Sequence, residues 1–239
     1  NDLKNYPKTL ESDLTKLQTL GGNVWVYAPE ADDLYNNKIE PRVYNFGKLE
    51  TTMEGAHREG HFQGVATVVQ KLFEALQPTV AYFGEKDYQQ LQIITALVRQ
   101  ENIPVVIVSC PIIRHEDGLA MSSRNKRLNI KERAMAPVIY ETLQKAVALK
   151  DIHSPPQIES WITEFFALQP EFDLEYFSIA DIQTLEKVSA LNGSKTRAFI
   201  AIKLVSGALQ CKVKSDPSFL VIWILLPPNL VMVNVEPMA

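Results

Sequence analysis

Apolar residues recur at helical spacing in three stretches of the first half of the chain. Leu10, Leu14, Leu17 and Leu20 share one face of a helix predicted over residues 9–20, which Gly21-Gly22 ends. Val65, Val68, Val69, Leu72 and Phe73 line one face of a second helix, 61–76, closed by Pro78. A third helix is predicted over 88–100. Short apolar runs between them read as strands: 23–28, stopped at Pro29; 80–83, leading into Gly84; and 105–108. The last is continuous and β-branched, as in a strand buried on both faces. Strand, loop, helix and strand in this order are the rhythm of a parallel α/β sheet. Such sheets bind ligands beyond the carboxyl ends of their strands, and Gly84-Glu85-Lys86-Asp87 lies at one such end.

After about residue 112 the rhythm changes. A helix is predicted over 131–149 despite Pro137, then a break at 153–156, then a helix over 157–168. Residues 172–179 alternate apolar and polar, and 198–204 are apolar and strand-like, so a smaller α+β domain is expected. Residues 219–226 are apolar without interruption, followed by Pro227-Pro228 and a second apolar run at 230–233. This is well short of the ~20 residues that cross a bilayer. The expectation is a packed or poorly specified tail that is an aggregation hazard if exposed, with no membrane contact. The chain shows no internal repeat.

Composition narrows the function. With 239 residues, 46% hydrophobic and 22% charged, the chain has the make-up of an ordinary globular protein. A net charge of −4 argues against a general nucleic-acid binder, while leaving room for a local cationic pocket. Cys110 and Cys211 form no disulfide framework, and no Cys/His cluster has zinc spacing. The opening Asn1-Asp2-Leu3-Lys4 is not a signal peptide; the lack of an initiating Met suggests a processed or incomplete chain, and a cytoplasmic enzyme is expected.

Two strings carry candidate chemistry. In Gly84-Glu85-Lys86-Asp87, the glycine permits close approach of the backbone, Lys86 is a point charge for phosphates, and Asp87 accepts from ribose hydroxyls. A surface Lys–Asp pair is the plainer alternative. In Met121-Ser122-Ser123-Arg124-Asn125, two hydroxyls beside a guanidinium suit a phosphate or a leaving pyrophosphate; the alternative is a helix N-cap with a solvated Arg. The preceding Asp117-Gly118-Leu119 reads as a turn that gives this loop mobility. Gln90 lies one helical turn after Lys86 and either meets a substrate hydroxyl or carboxylate or is an ordinary exposed residue. His57-Arg58-Glu59-Gly60-His61 is neither H-E-x-x-H nor H-x-G-H. Arg58 offers charge near a phosphate, and His61 is expected to be structural.

Taken in order, Tyr6-Pro7-Lys8-Thr9-Leu10, Gly60-His61-Phe62-Gln63-Gly64-Val65, Phe83 to Leu91 and Asp117 to Asn125 resemble the signatures of the pantothenate synthetase (pantoate–β-alanine ligase) family. The resemblance runs over residues 1–204. It implies a Rossmann-like nucleotide- and pantoate-binding domain over 1–112, a C-terminal lid domain over 113–204, and an unmatched tail over 205–239. It implies an ATP- and Mg2+-dependent condensation of pantoate with β-alanine through a pantoyl adenylate, in a cytoplasmic homodimer. Gly84, Glu85, Lys86, Asp87, Ile113, Met121, Ser122, Ser123 and Arg124 would then contact ATP, with Lys86, Ser122, Ser123 and Arg124 catalytic. Gln90, Val65, Val69 and Arg58 would face pantoate, and Asp13 matches a metal-associated position beside Ser12. The family's early His-x-Gly-His, and a pantoate-binding Gln before the Tyr-Pro segment, do not occur in these residues. The expectation is therefore that the first strand and helix are missing and that activity is impaired. A remnant that binds nucleotide or pantoate, or pairs with a full-length subunit, is the alternative.

Overall fold

The computed structural model describes residues 10–19, 24–29, 33–34, 42–191, 195–206, 209–213, 220–226 and 229–235. The chain divides into two units, Asn1–Pro111 with Pro217–Ala239, and Ile112–Asp216. Gly21-Gly22 and the Tyr-Pro segment lie outside the described residues.

Unit 1 is a helix-covered sheet. Its helices are α1 (Leu10–Gln18), α2 (Met53–His57), α3 (His61–Leu76) and α4 (Tyr88–Gln100); its strands include β1 (Val24–Tyr27), β2 (Val80–Gly84) and β3 (Val106–Cys110). β2 and β3 pair in parallel, Val80 opposite Val106 through Gly84 opposite Cys110, as the βαβ rhythm predicts. Helix α3 starts at Gly60, with φ of 72°, and ends where Gln77 turns left-handed and its N–H caps Phe73 O at 2.8 Å. Its apolar face supplies Phe62, Ala66, Val69, Leu72 and Phe73 to a core completed by Ala81 and Phe83 of β2 and by Leu91, Ile93, Ile94 and Leu97 of α4. Phe73 and Phe83 meet edge to face, 6.5 Å between centroids. Each large side chain buried there stabilises by roughly 1.5–3 kcal/mol.

The tail expected to be packed or poorly specified contributes two strands to this sheet. Leu220–Leu226 (β7) and Asn229–Val235 (β8) pair as antiparallel strands; Pro227-Pro228 between them lie outside the described residues. The strand order is β1-β8-β7-β2-β3, with β8 parallel to β1 and β7 antiparallel to β2. The physical reason is that an extended apolar run must pair its backbone N–H and C=O groups, and neighbouring strands offer the partners.

Unit 2 holds α5 (Ile130–Met135), α6 (Pro137–Leu149), α7 (Pro155–Ala167) and an antiparallel sheet of β4 (Phe172–Asp181), β5 (Thr196–Ser206) and β6 (Leu209–Val213). The single helix predicted over 131–149 is two. Pro137 has no N–H to continue the ladder of α5 and instead starts α6 at its first position. Helix α7 likewise starts earlier than predicted, at Pro155, because Ser154 and Gln157 form a capping box. Ile139, Ala146, Ile158, Ile162, Phe166, Phe172, Phe177, Ile202 and Leu204 form the second core. No helix among the described residues is long and apolar enough to cross a membrane.

Candidate functional site

In unit 1 the chemistry gathers where β2 runs into α4. The strand gives way at Gly84 to one tight 3-10 turn, Glu85–Asp87, and α4 follows at once. Gly84 has an ordinary φ of −71°, and a Cβ there would touch nothing within 4 Å. The fold therefore does not demand glycine; what glycine provides is an open backbone face at the strand's carboxyl end. Lys86 Nζ lies 3.5 Å from Asp87 Oδ1, with both side chains about four-fifths buried. The ion pair weighed as the plain alternative is real, yet a largely buried pair on a turn of three residues is also a preformed cation and acceptor for a ligand.

Gln90, in the first turn of α4, is 5% exposed, which removes the reading of an ordinary surface glutamine. Its Oε1 is buried with no hydrogen-bond partner. A buried, unpaired amide oxygen costs about 1–3 kcal/mol and calls for an explanation such as an absent ligand. Three other glutamines show how unusual this is. Gln63 accepts from Tyr44 N and donates to Tyr44 O, each at 2.9 Å, and donates to Glu50 Oε2. Gln70 accepts from Tyr44 Oη at 2.7 Å and donates to Glu74 Oε1 at 2.9 Å. Gln89 accepts from Glu54 N at 3.1 Å and donates to Leu49 O and Thr52 O at 2.7 and 2.9 Å. The sequence reading passed over these three; the available signal was polar amides set into apolar helix faces.

The remaining unit 1 candidates have partners of their own. Arg58 Nη1 lies 3.3 Å from Oε1 of Glu54, whose side chain is almost fully buried, so its charge is already engaged. Val69 is fully buried in the core, and Val65 packs on the core while partly exposed. Of the two valines expected to meet a ligand, only Val65 keeps surface. His61 opens α3 and packs its ring on Phe62, centroids 5.1 Å apart. Asp13 lies in α1, 3.9 Å from Lys16 Nζ, and among the described residues no three His, Cys, Asp or Glu side chains come together as a metal cage.

In unit 2 the second string sits on a compact loop. Met121 N donates to Ile113 O at 2.9 Å, and Arg114 and Ala120 form an antiparallel bridge, closing a short hairpin. Ile113 is 65% exposed, with its backbone held in this hairpin. The turn at its tip, where Asp117-Gly118-Leu119 predicts a mobile loop, is held by several contacts. Gly118 takes φ of 87° with its Cα against the Tyr140 ring, where a Cβ would collide. The Arg114 guanidinium stacks on that same ring, 3.9 Å from its centroid, and donates to Gly118 O at 3.1 Å. Burial lowers the Arg114 pKa. Arg133 donates to Asp117 Oδ2, and this bond holds the Asp117 carboxyl below its usual range.

Beyond the bridge, Ser122 caps the 3-10 turn Ser123–Arg127, its Oγ accepting from Arg124 N at 3.3 Å. Accepting through oxygen leaves the hydroxyl proton for an outside acceptor. Arg124 is 6% exposed, so the solvated guanidinium of the plain alternative is not what forms. Asn125 Nδ2 donates to Ala120 O at 2.9 Å and lies 3.5 Å from His115 Nε2, tying the serine turn back to the hairpin. Met121 stands 46% exposed at the start of this run.

The comparisons with known proteins agree with one another. The model of the family described as pantoate-beta-alanine ligase matches residues 1–211, which leaves β7 and β8 beyond the match. The pantothenate synthetase of Flavobacterium psychrophilum is 48% identical over 202 residues, covering 84% of this chain and 72% of that protein. That of Christiangramia forsetii is 46% identical over 201 residues, 84% of this chain and 71% of its own. Among solved structures, pantothenate synthetase from Thermus thermophilus superposes with a TM-score of 0.80 at 38% identity, over 91% of this chain and 78% of that one. Pantoate-beta-alanine ligase from Francisella tularensis, solved in complex with beta-gamma ATP and beta-alanine, gives 0.68 at 30% identity, over 90% and 73%.

Proposed function

The chain belongs to the pantoate-β-alanine ligase family, and from that premise we propose that it binds pantoate and ATP and joins pantoate to β-alanine through a pantoyl adenylate. The observation that carries the reading is the buried, unpartnered Oε1 of Gln90 beside the Gly84–Asp87 turn. A ligand hydroxyl donating to that oxygen supplies the missing bond, and pantoate carries two hydroxyls, one beside its carboxylate and one at the far end beyond the gem-dimethyl carbon. A Francisella relative solved in complex with beta-gamma ATP and beta-alanine supports the other two substrates.

In this reading Gln90 holds a pantoate hydroxyl and Val65 offers apolar surface to the gem-dimethyl group, while Val69 backs it from the core. The pantoate carboxylate attacks the α-phosphorus of ATP; the bond to the bridging oxygen breaks and pyrophosphate leaves. The β-alanine amine then attacks the acyl carbon, AMP departs with the acyl–oxygen electron pair, and the amine loses a proton. Lys86 balances phosphate charge, Gly84 and Glu85 leave the backbone approachable, and Asp87 accepts from the ribose. Ser122, Ser123 and Arg124 donate to phosphate oxygens that gain charge during adenylation, and the backbone at Ile113 and Met121 meets the nucleotide. Arg58 contributes field rather than a direct contact, since Glu54 holds it. Mg2+ commonly enters on nucleotide phosphates with one or two carboxylates rather than in a protein cage. Its requirement does not depend on a cluster here, and Asp13 is a candidate outer carboxylate. A homodimer is the assembly this reading expects.

The test is AMP release by the purified 239-residue chain with Mg-ATP, with and without pantoate and β-alanine, together with pantoate and ATP binding by calorimetry. AMP that requires both substrates supports the ligase reading. Binding without AMP favours the ligand-binding alternative, and a folded chain that binds neither ligand overturns both.

A further inference from the structure

The turn that precedes α3 is strained, and one side chain holds it. Met53, a non-glycine residue, takes a positive φ of 45° at the start of α2. Two residues on, a Cβ at Gly55 would run into Glu50 O, so the chain folds back on itself as tightly as a backbone allows. Conformations like these persist only where the surroundings over-determine them, and they cluster at functional sites.

Here the surroundings are Gln89. Gln89 is 7% exposed, and its carboxamide takes the N–H of Glu54 and gives its two hydrogens to Leu49 O and Thr52 O. One planar group thus closes three backbone positions across the strained turn. An amide suits this because it carries one acceptor atom and two donor hydrogens on the same end. A carboxylate would set an oxygen against two carbonyls, and an alkyl chain would leave all three groups unpaired.

Gln89 is also the residue before Gln90, in the first turn of α4. The same clamp therefore fixes the helix turn that presents the unpartnered Oε1 and the segment that carries Glu54 with its ion-paired Arg58. We propose that Gln89 is a positioning residue for the pantoate pocket: by locking the 49–55 turn to the start of α4, it sets the orientation in which Gln90 meets the ligand. This rests on the reading of Gln90 given above. Gln89 touches no substrate in this scheme; it acts through its neighbour.

The experiment measures pantoate and ATP affinity by calorimetry, well below the melting temperature, for the unaltered chain and for Gln89→Met, Gln89→Glu and Gln90→Leu. Gln89→Met keeps length and volume while removing all three bonds. The expected result is pantoate affinity weakened about 10–100-fold in both Gln89 variants, since small misplacement of a binding group has effects of that size, with ATP affinity within about twofold of the parent. A role confined to stability would lower the melting temperature and leave both affinities alone. Pantoate affinity unchanged in folded Gln89→Met, alongside its loss in Gln90→Leu, overturns this inference alone. Failure of the unaltered chain to bind pantoate, or unimpaired binding by Gln90→Leu, overturns the functional reading and this inference with it. Hydrogen exchange on the unaltered chain needs no variant to fold. Saturating pantoate should slow exchange of the Glu54 amide that Gln89 holds, and no change there counts as disproof.

Discussion

Gln89 and Gln90 are consecutive and both buried, yet Gln89 has every polar atom of its amide bonded while the oxygen of Gln90 has no partner. Helix geometry makes this possible. Adjacent residues diverge by about 100° around the axis, so one amide faces the 49–54 turn and the other points elsewhere. The two positions respond differently to substitution.

Gln90→Leu removes an unpaired oxygen from a buried place. It is expected to leave the chain as stable or raise its melting temperature by about 2–4 °C, corresponding to ~1 kcal/mol, because no hydrogen bond is lost. Pantoate affinity should fall about 10–100-fold, the worth of a hydrogen bond to a polar or charged ligand. Thermal denaturation beside calorimetry reads both. A large stability loss with unchanged affinity would mean that the oxygen has a structural partner.

Gly118→Ala is expected to destabilise unit 2 by about 1–3 kcal/mol. It adds a side chain at φ of 87° and drives it into the Tyr140 ring on which Arg114 stacks. Urea unfolding followed by tryptophan fluorescence, with Trp161 packed against the unit 2 core, measures this. A midpoint unchanged from the parent would show that the ring moves aside freely.

Asn129→Ala should cost about 1 kcal/mol. Asn129 Oδ1 accepts from Glu132 N at 2.9 Å while Glu132 Oε2 accepts from Asn129 N at 2.8 Å, and removing the cap leaves a helix-start N–H unpaired. The loss should appear in the same urea experiment, and Asn129→Ser should recover most of it.

Two aspartates give stability an acid limb. The Arg133 hydrogen bond lowers the Asp117 pKa, and the Thr184 and then Gln183 backbone N–H groups lower that of Asp181. A carboxyl whose folded pKa is depressed contributes stability that is complete above its unfolded value and lost as pH falls through its folded value. Stability of the parent should therefore decline from about pH 5 towards about pH 2. The decline should be shallower in Asp117→Asn and in Asp181→Asn, read as urea midpoints across that range. Equal slopes in parent and variants would remove both groups from the acid response.

Much of unit 1 could be read from the chain because local signals agree there. The β-branched run at 105–108 and the apolar stripe from Val65 to Phe73 each specify their element without help from distant residues, although β3 is not buried on both faces as its run predicts, Val106 being 60% exposed at the sheet edge. Strand β3 and helices α3 and α4 form within a residue or two of where the pattern puts them. Pro137 shows the limit of periodicity: the apolar spacing continues through it, but the backbone ladder does not. The candidate site is legible in residue type rather than in detail. Lys86, Gln90, Ser122 and Arg124 stand out in the sequence by their chemistry, but the burial of Arg124 and the unpaired oxygen of Gln90 depend on neighbours distant in sequence. Gln89 was hidden for the same reason, since its three partners lie some 35–40 residues earlier. For the tail the sequence leaves packed and poorly specified open, because its apolar run, taken alone, names no partner strand.

That pair of strands gives unit 1 an order of assembly. Its sheet has β8 beside β1 and β7 beside β2, so the strands at its centre are made after all of unit 2. On the ribosome, β1 and β2 emerge with their facing edges unpaired and keep them so while more than a hundred further residues are translated. Unit 2, continuous in sequence, is free to fold during that interval; unit 1 is not. Chaperone demand during synthesis should therefore centre on the half of the molecule that carries Gln90, and slowing translation should not relieve it, because the missing strands come last.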